Sequence, residues 1–221
     1  MKLAVAAIVA LLAASGAARA ENWTIVPPQE KDQPFHADEL PAKPAPGGFA
    51  LVVVNGLWNL VPATLRIQVD GTDSKGQPDV VHLVAAPPDA LYYLRAPGLV
   101  AGKVDTPDLR FKGVRRDAFK PIALPFKGTP WAFEIKAGAT WFTDGKLHQQ
   151  IYESLRADES DGERDMESAS LEWAGDLDHD GRLDFIVDRS FDDGGTTCLW
   201  LSSRAKPGQL VGEAGCQDHH F

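Results

Sequence analysis

WAFEIKAG, residues 131–138, decides the fold class. Trp131, Phe133 and Ile135 alternate with Ala132, Glu134 and Lys136. An extended chain with that spacing has one apolar and one polar face, as a strand resting on a core requires. Similar short segments flank it: FALVVVNGLW (49–58), broken by Asn55-Gly56, then ATLRIQVDG (63–71), DVVHLVAA (79–86), ALYYLRA (90–96), DLRFKGV (108–114), FKPIALPF (119–126) and ATWFTDG (139–145). Each is bounded by Gly, Pro, Asp or Asn, the residues that make turns between strands. The expected fold is mostly β: antiparallel sheets, as a sandwich or partial barrel, with at most one or two short helices. The helix candidate is KLHQQIYESLRA (146–157), where Leu147, Ile151 and Leu155 recur every four residues; a further strand pair is the alternative.

The chain divides by composition. MKLAVAAIVALLAASGAARA (1–20) has a basic start at Lys2, an apolar run from Leu3 to Ala14 and Ala18-Arg19-Ala20. This predicts a secretory signal peptide with an A-x-A cleavage site, its apolar run too short to span a bilayer. The expected location is the periplasm or the extracellular space, with no transmembrane segment after signal removal. Residues 21–48 hold Pro27, Pro28, Pro34, Pro41, Pro44 and Pro46 and read as an extended leader that crosses the surface or hangs free. A β-rich region is expected over 49–150. An acidic region with a C-terminal hairpin follows over 151–221, packed on it as one unit.

The 221 residues carry a formal net charge of −9 at pH 7. From Glu153 to Asp193 there are 15 acidic and 4 basic residues, so the imbalance is concentrated there. With no basic face to release counterions, nucleic acid is not an expected partner. Concentrated acid points to a cation or to a solvated face.

Within this stretch stands AGDLDHDGRLDFIVDRS (174–190). Counting from Asp176, carboxylates fall at positions 1, 3, 5 and 9 (Asp176, Asp178, Asp180 and Asp184), with Gly181 at position 6 and Arg182 at position 7. Calcium takes six to eight hard oxygen ligands, alternate side chains of a tight loop can face one centre, and glycine permits the sharp turn. Without a cation such carboxylates repel, each close pair by about 1 kcal/mol or more near the surface. An EF-hand is excluded, because position 12 is Val187 rather than a bidentate Glu. The flanks also read as strands, not helices. The stretch resembles the D-x-D-x-D-G-x-x-D calcium loops of FG-GAP and VCBS-type repeats, found in integrin-like propeller blades and secreted bacterial proteins. The resemblance implies Ca²⁺ as cofactor, with Asp176, Asp178, Asp180 and Asp184 as side-chain ligands and Arg182 as a backbone ligand. It covers about 20 residues, and the loop occurs once, where a propeller repeats it in every blade.

Cys198 and Cys216 are the two cysteines, and an even pair in an exported chain predicts a disulfide. TTCLWLSS (196–203) and GQLVGEAGC (208–216) read as two strands joined across a turn near Pro207-Gly208, which makes the cysteines cross-strand neighbours. His219-His220 reads as a frayed polar tail. Ser203-x-x-Lys206 matches an acylation pair formally, but no K-T-G or S-D-N motif accompanies it. The acidic pairs Asp158-Glu159 and Asp192-Asp193 read as charged turns. Of the six tryptophans, Trp131 and Trp200 sit on apolar faces and are expected in the core. No catalytic residues stand out. The expected function is an exported calcium-binding β protein, its metal structural, acting as a binding or interaction module whose protein or glycan partner the sequence does not name. A carbohydrate-binding module and a secreted hydrolase with dispersed catalytic residues are the alternatives.

Overall fold

Asn55 and Gly56 both have positive φ, 52° and 76°, the conformation a two-residue hairpin turn demands. They join β3 (Phe49–Val54) to β4 (Leu57–Pro62). Lys127 and Gly128, at 46° and 82°, join β9 (Ile122–Phe126) to β10 (Thr129–Lys136) in the same way. The computed structural model describes residues 25–26, 35–36, 47–72, 78–87, 89–107, 121–136, 139–152, 168–190 and 194–220. The expected signal segment lies outside the described residues, as do the acidic stretch 153–167 and all of DLRFKGV.

The remaining strands are β1 (Ile25–Val26), β2 (Phe35–His36), β5 (Thr64–Thr72), β6 (Pro78–Ala86), β7 (Tyr92–Leu94), β8 (Gly102–Lys103), β11 (Ala139–Thr143), β12 (His148–Tyr152), β13 (Ser168–Gly175), β14 (Asp184–Ser190), β15 (Gly194–Leu201) and β16 (Gly212–His220). The only helical element among the described residues is a 3-10 turn at Ser202–Arg204. All pairings are antiparallel. They make four sheets, ordered β1-β7-β3-β4-β8, β12-β11-β10-β9, β13-β14-β15-β16 and β2-β6-β5. None closes into a barrel.

The β13–β16 sheet is covered on both faces. Leu171, Phe185, Val187, Cys198 and Trp200 point into one core with Leu124, Phe126, Trp131, Phe133 and Phe142 of the β9–β12 sheet. Trp173, Ile186, Leu199 and Leu201 point into a second core with Ile25, Leu51, Leu60, Tyr92 and Leu94 of the β1–β8 sheet. Successive side chains of a strand face opposite ways, so FIV and CLWL can run apolar without alternation because each neighbour reaches a different core. WAFEIKAG alternates because its sheet is an outer layer. Phe142 stacks on Phe185 at 3.8 Å between ring centroids, and Trp131 tilts against the same ring at 5.8 Å. Burying a side chain of that size contributes about 2–3 kcal/mol.

Three expectations are corrected. Residues 148–152 of the helix candidate are strand β12, paired with β11 from Thr143↔His148 to Thr140↔Tyr152. A spacing of four is also a multiple of two, so Leu147 and Ile151 share a strand face as well as a helix face. The residue between them on that face is Gln149, 9% exposed, and its polarity hid the alternation. Asp144 sets up the turn, its Oδ1 accepting from the amides of Lys146 (2.9 Å) and Leu147 (2.7 Å). Second, the Pro-rich leader contributes structure: Ile25 and Val26 are 0% and 1% exposed and pair with Leu94 and Tyr93, while Phe35 and His36 pair with β6. Third, His219 belongs to β16 opposite Gly195. Its ring fills the space a side chain at 195 would need, with Nε2 2.6 Å from where a Cβ would stand. The C-terminal hairpin itself forms as expected. Cys198 and Cys216 are register partners joined by a disulfide, and Gly208 (φ 85°) lies in the connection.

Candidate metal centre

The acidic loop joins two strands of the central sheet. Gly175↔Asp184 is the last pair between β13 and β14, so residues 176–183 span the gap. Leu177 and Leu183, both fully buried, pin the loop from inside, one in each core. The Asp176 amide donates to the Asp105 carbonyl (2.9 Å) and the Val100 amide to the Leu177 carbonyl (3.3 Å). Gly175 has no room for a side chain, since a Cβ would run into the Trp173 ring and the Asp105 carbonyl. Gly181 turns the chain at φ 86°, and His179, exposed, takes φ 61°.

Three of the expected carboxylates converge: oxygens of Asp176, Asp178 and Asp184 lie within 4.8 Å of one another. Asp184 is fully buried. Its Oδ2 accepts from the Leu177 amide (2.7 Å), and its Oδ1 from the Ser202 amide (2.8 Å) and hydroxyl (3.0 Å). Burial, with the Asp178 charge adding to it, pushes the Asp184 carboxyl up to about 8. Asp176 is 2% exposed, and its Oδ2 accepts from Lys127 Nζ (2.8 Å) and the Gly181 amide (3.0 Å). Asp176 Oδ1 and Asp178 Oδ2 are buried and have no hydrogen-bond partner. Buried carboxylate oxygens are costly to leave unmatched. Two of them in one cluster are donors of the kind a hard cation takes, so these residues could hold a metal ion.

Asp180 lies outside that group of three. Its Oδ2 takes the Arg182 guanidinium (Nη2 2.9 Å, Nε 3.1 Å) and the Ser202 hydroxyl (2.8 Å), and its Oδ1 takes the Arg182 amide (2.8 Å). Partial burial raises its pKa, but these donors outweigh it and hold the carboxyl below the usual value. Arg182 also reaches the Ser202 carbonyl at 2.7 Å. Ser202 thus holds Asp180, Arg182 and Asp184 together from 18 or more residues away.

Lys127, Asp105 and Ser202 were not singled out from the sequence. They come from separate turns and strands, and only the tertiary fold brings them to the loop. The other acid–thiol group, Cys198, Glu213 and Cys216, offers no thiolate because its sulfurs are bonded to each other. Ser203 and Lys206 lie exposed in and after the 3-10 turn. Trp131, Trp173 and Trp200 are buried, and Trp58 and Trp141 are half-buried. No helix among the described residues is long and apolar enough to cross a membrane. No family model, curated protein or solved structure matches this chain.

Proposed function

We propose that the chain is an exported β protein whose 176–184 loop holds one structural Ca²⁺, serving as a binding or interaction module. The observation that carries the metal is the pair of buried, unpartnered oxygens, Asp176 Oδ1 and Asp178 Oδ2, beside Asp184. Calcium is favoured over magnesium because it takes six to eight oxygens in irregular geometry, as one loop of clustered carboxylates can offer, whereas magnesium demands a small octahedral shell and keeps its waters. The resemblance to FG-GAP and VCBS-type loops agrees, with Asp180 and the Arg182 carbonyl completing the shell. Export is supported by the character of residues 1–20 and by the disulfide, which persists in oxidising compartments. No row of solvent-facing tryptophans among the described residues favours the carbohydrate reading, since none of the described tryptophans is exposed.

Calorimetric titration of the chelator-treated protein, with thermal melts alongside, tests this. Calcium should bind one per chain, and at 100 times Kd should stabilise the fold by about 2.7 kcal/mol. Asp176→Ala should lose most of that gain, and Asp192→Ala, outside the loop, none of it. No heat of binding up to millimolar calcium, with an unchanged melt, rules the reading out.

A further inference from the structure

We infer that Lys127 is a tethered cation that competes with the metal ion for Asp176, so that ion binding frees the β9–β10 turn. This rests on the calcium reading above. Lys127 is 49 residues away from Asp176 in sequence, yet its Nζ stands 2.8 Å from Asp176 Oδ2. The carboxylate is buried, with 3% of its side chain exposed, while the lysine side chain is 44% exposed. The ammonium therefore enters the cluster from the solvent side, while Asp176 Oδ1, the other oxygen of the same carboxylate, has no partner.

A second resting place for the ammonium is already in reach. Asp105 Oδ2 is 3.4 Å from Lys127 Nζ, and the Asp105 side chain is 52% exposed. Asp105 is fixed beside the loop by its backbone bridge to Asp176. A divalent ion on Asp176 repels an ammonium on the same carboxylate, and Asp105 accepts the ammonium when it leaves. In the metal-free protein Lys127 offsets the repulsion among Asp176, Asp178 and Asp184 and keeps the loop closed. The ion and the lysine thus alternate on one carboxylate, and occupancy of the loop is read out at Lys127-Gly128 in the adjoining sheet.

The test is calcium titration of wild type, Lys127→Met, Lys127→Arg and Lys103→Met, each as the full mature chain. Lys103 loses the same charge nearby but touches Asp105 alone, at 3.6 Å. Lys127→Met should bind calcium on the order of tenfold tighter, Lys103→Met within about twofold of wild type, and Lys127→Arg as wild type does. Lys127→Met should also melt lower than wild type without metal, and at the same temperature with calcium saturating. Equal or weaker binding by Lys127→Met, or an equal gain in Lys103→Met, overturns the competition while leaving the calcium site in place. Absence of binding by wild type removes the calcium reading and this inference with it. Should Lys127→Met fail to fold, a loss of the calcium-dependent chemical shift of the Gly128 amide in Lys127→Arg would count against the exchange.

Discussion

Gln149 and Val211 are bonded to each other twice across 62 residues. Gln149 Nε2 donates to the Val211 carbonyl and the Val211 amide donates to Gln149 Oε1, both at 2.9 Å. The same Oε1 also accepts from the Leu210 amide at 2.7 Å. One buried side chain thus satisfies three backbone groups of the C-terminal connection. Gln149→Leu keeps the approximate volume and strands all three, so it should cost about 3 kcal/mol or more in urea unfolding. Gln150→Leu, on the exposed face of the same strand, should change stability by less than about 0.5 kcal/mol.

The disulfide closes a separation of 18 residues. Reduction, or replacement of both cysteines by Ala, should lower stability by about 3 kcal/mol. Thiol titration of the unreduced, unfolded protein should find no free thiol, and two reactive thiols per chain would contradict the pairing.

Asp178 and Asp180 separate by their partners. Asp178 contributes to the three-carboxylate cluster, whereas Asp180 is held by Arg182 and Ser202. If the loop binds calcium, Asp178→Asn should weaken binding more than Asp180→Asn. Asp180→Asn should instead lower the stability of the metal-free protein, as the Arg182 clasp is lost. The reverse ranking in a calorimetric titration would make Asp180 the stronger ligand of the two.

Tyr152 packs edge-on against Trp200, 5.8 Å between centroids, with Arg189 over its ring. Burial pushes its phenol up to about 12 from 10.0. The unfolded chain ionises first, so it binds fewer protons in that interval and stability falls as pH rises from about 10 to about 12. Tyr92 is shifted in the same direction by burial. Urea unfolding across this range should show the fall, and Tyr152→Phe should make it shallower while Tyr92 keeps part of it.

What the sequence disclosed followed local physics. Alternation at Trp131, Phe133 and Ile135 placed β10, Asn55-Gly56 marked the break between two strand segments, and the two cysteines indicated their own pairing. The acidic loop was legible because its carboxylates sit at fixed spacing in nine residues. The parts that were not legible depend on distant partners. Gln149 looks like a surface residue until the Leu210 and Val211 amides are brought to it. Ile25-Val26 is too short to show any period, and Pro27-Pro28 after it disguised it further. Nothing around Lys127 distinguishes it from any lysine at a hairpin turn.

The middle layer of the stack is made after both of its neighbours. Its strands lie between Ser168 and His220, while the layers on either side come from residues 25–152. A nascent chain emerging N-terminus first therefore presents two outer sheets whose inner faces have nothing to rest on. Phe133 and Phe142 on one side, and Leu51 and Leu60 on the other, stay uncovered until Phe185 and Ile186 arrive. Both cores then close over a single late sheet, through contacts far apart in sequence, the kind that form slowly. Truncation before β14 would leave both outer layers open at once, and such a chain should aggregate rather than fold in part.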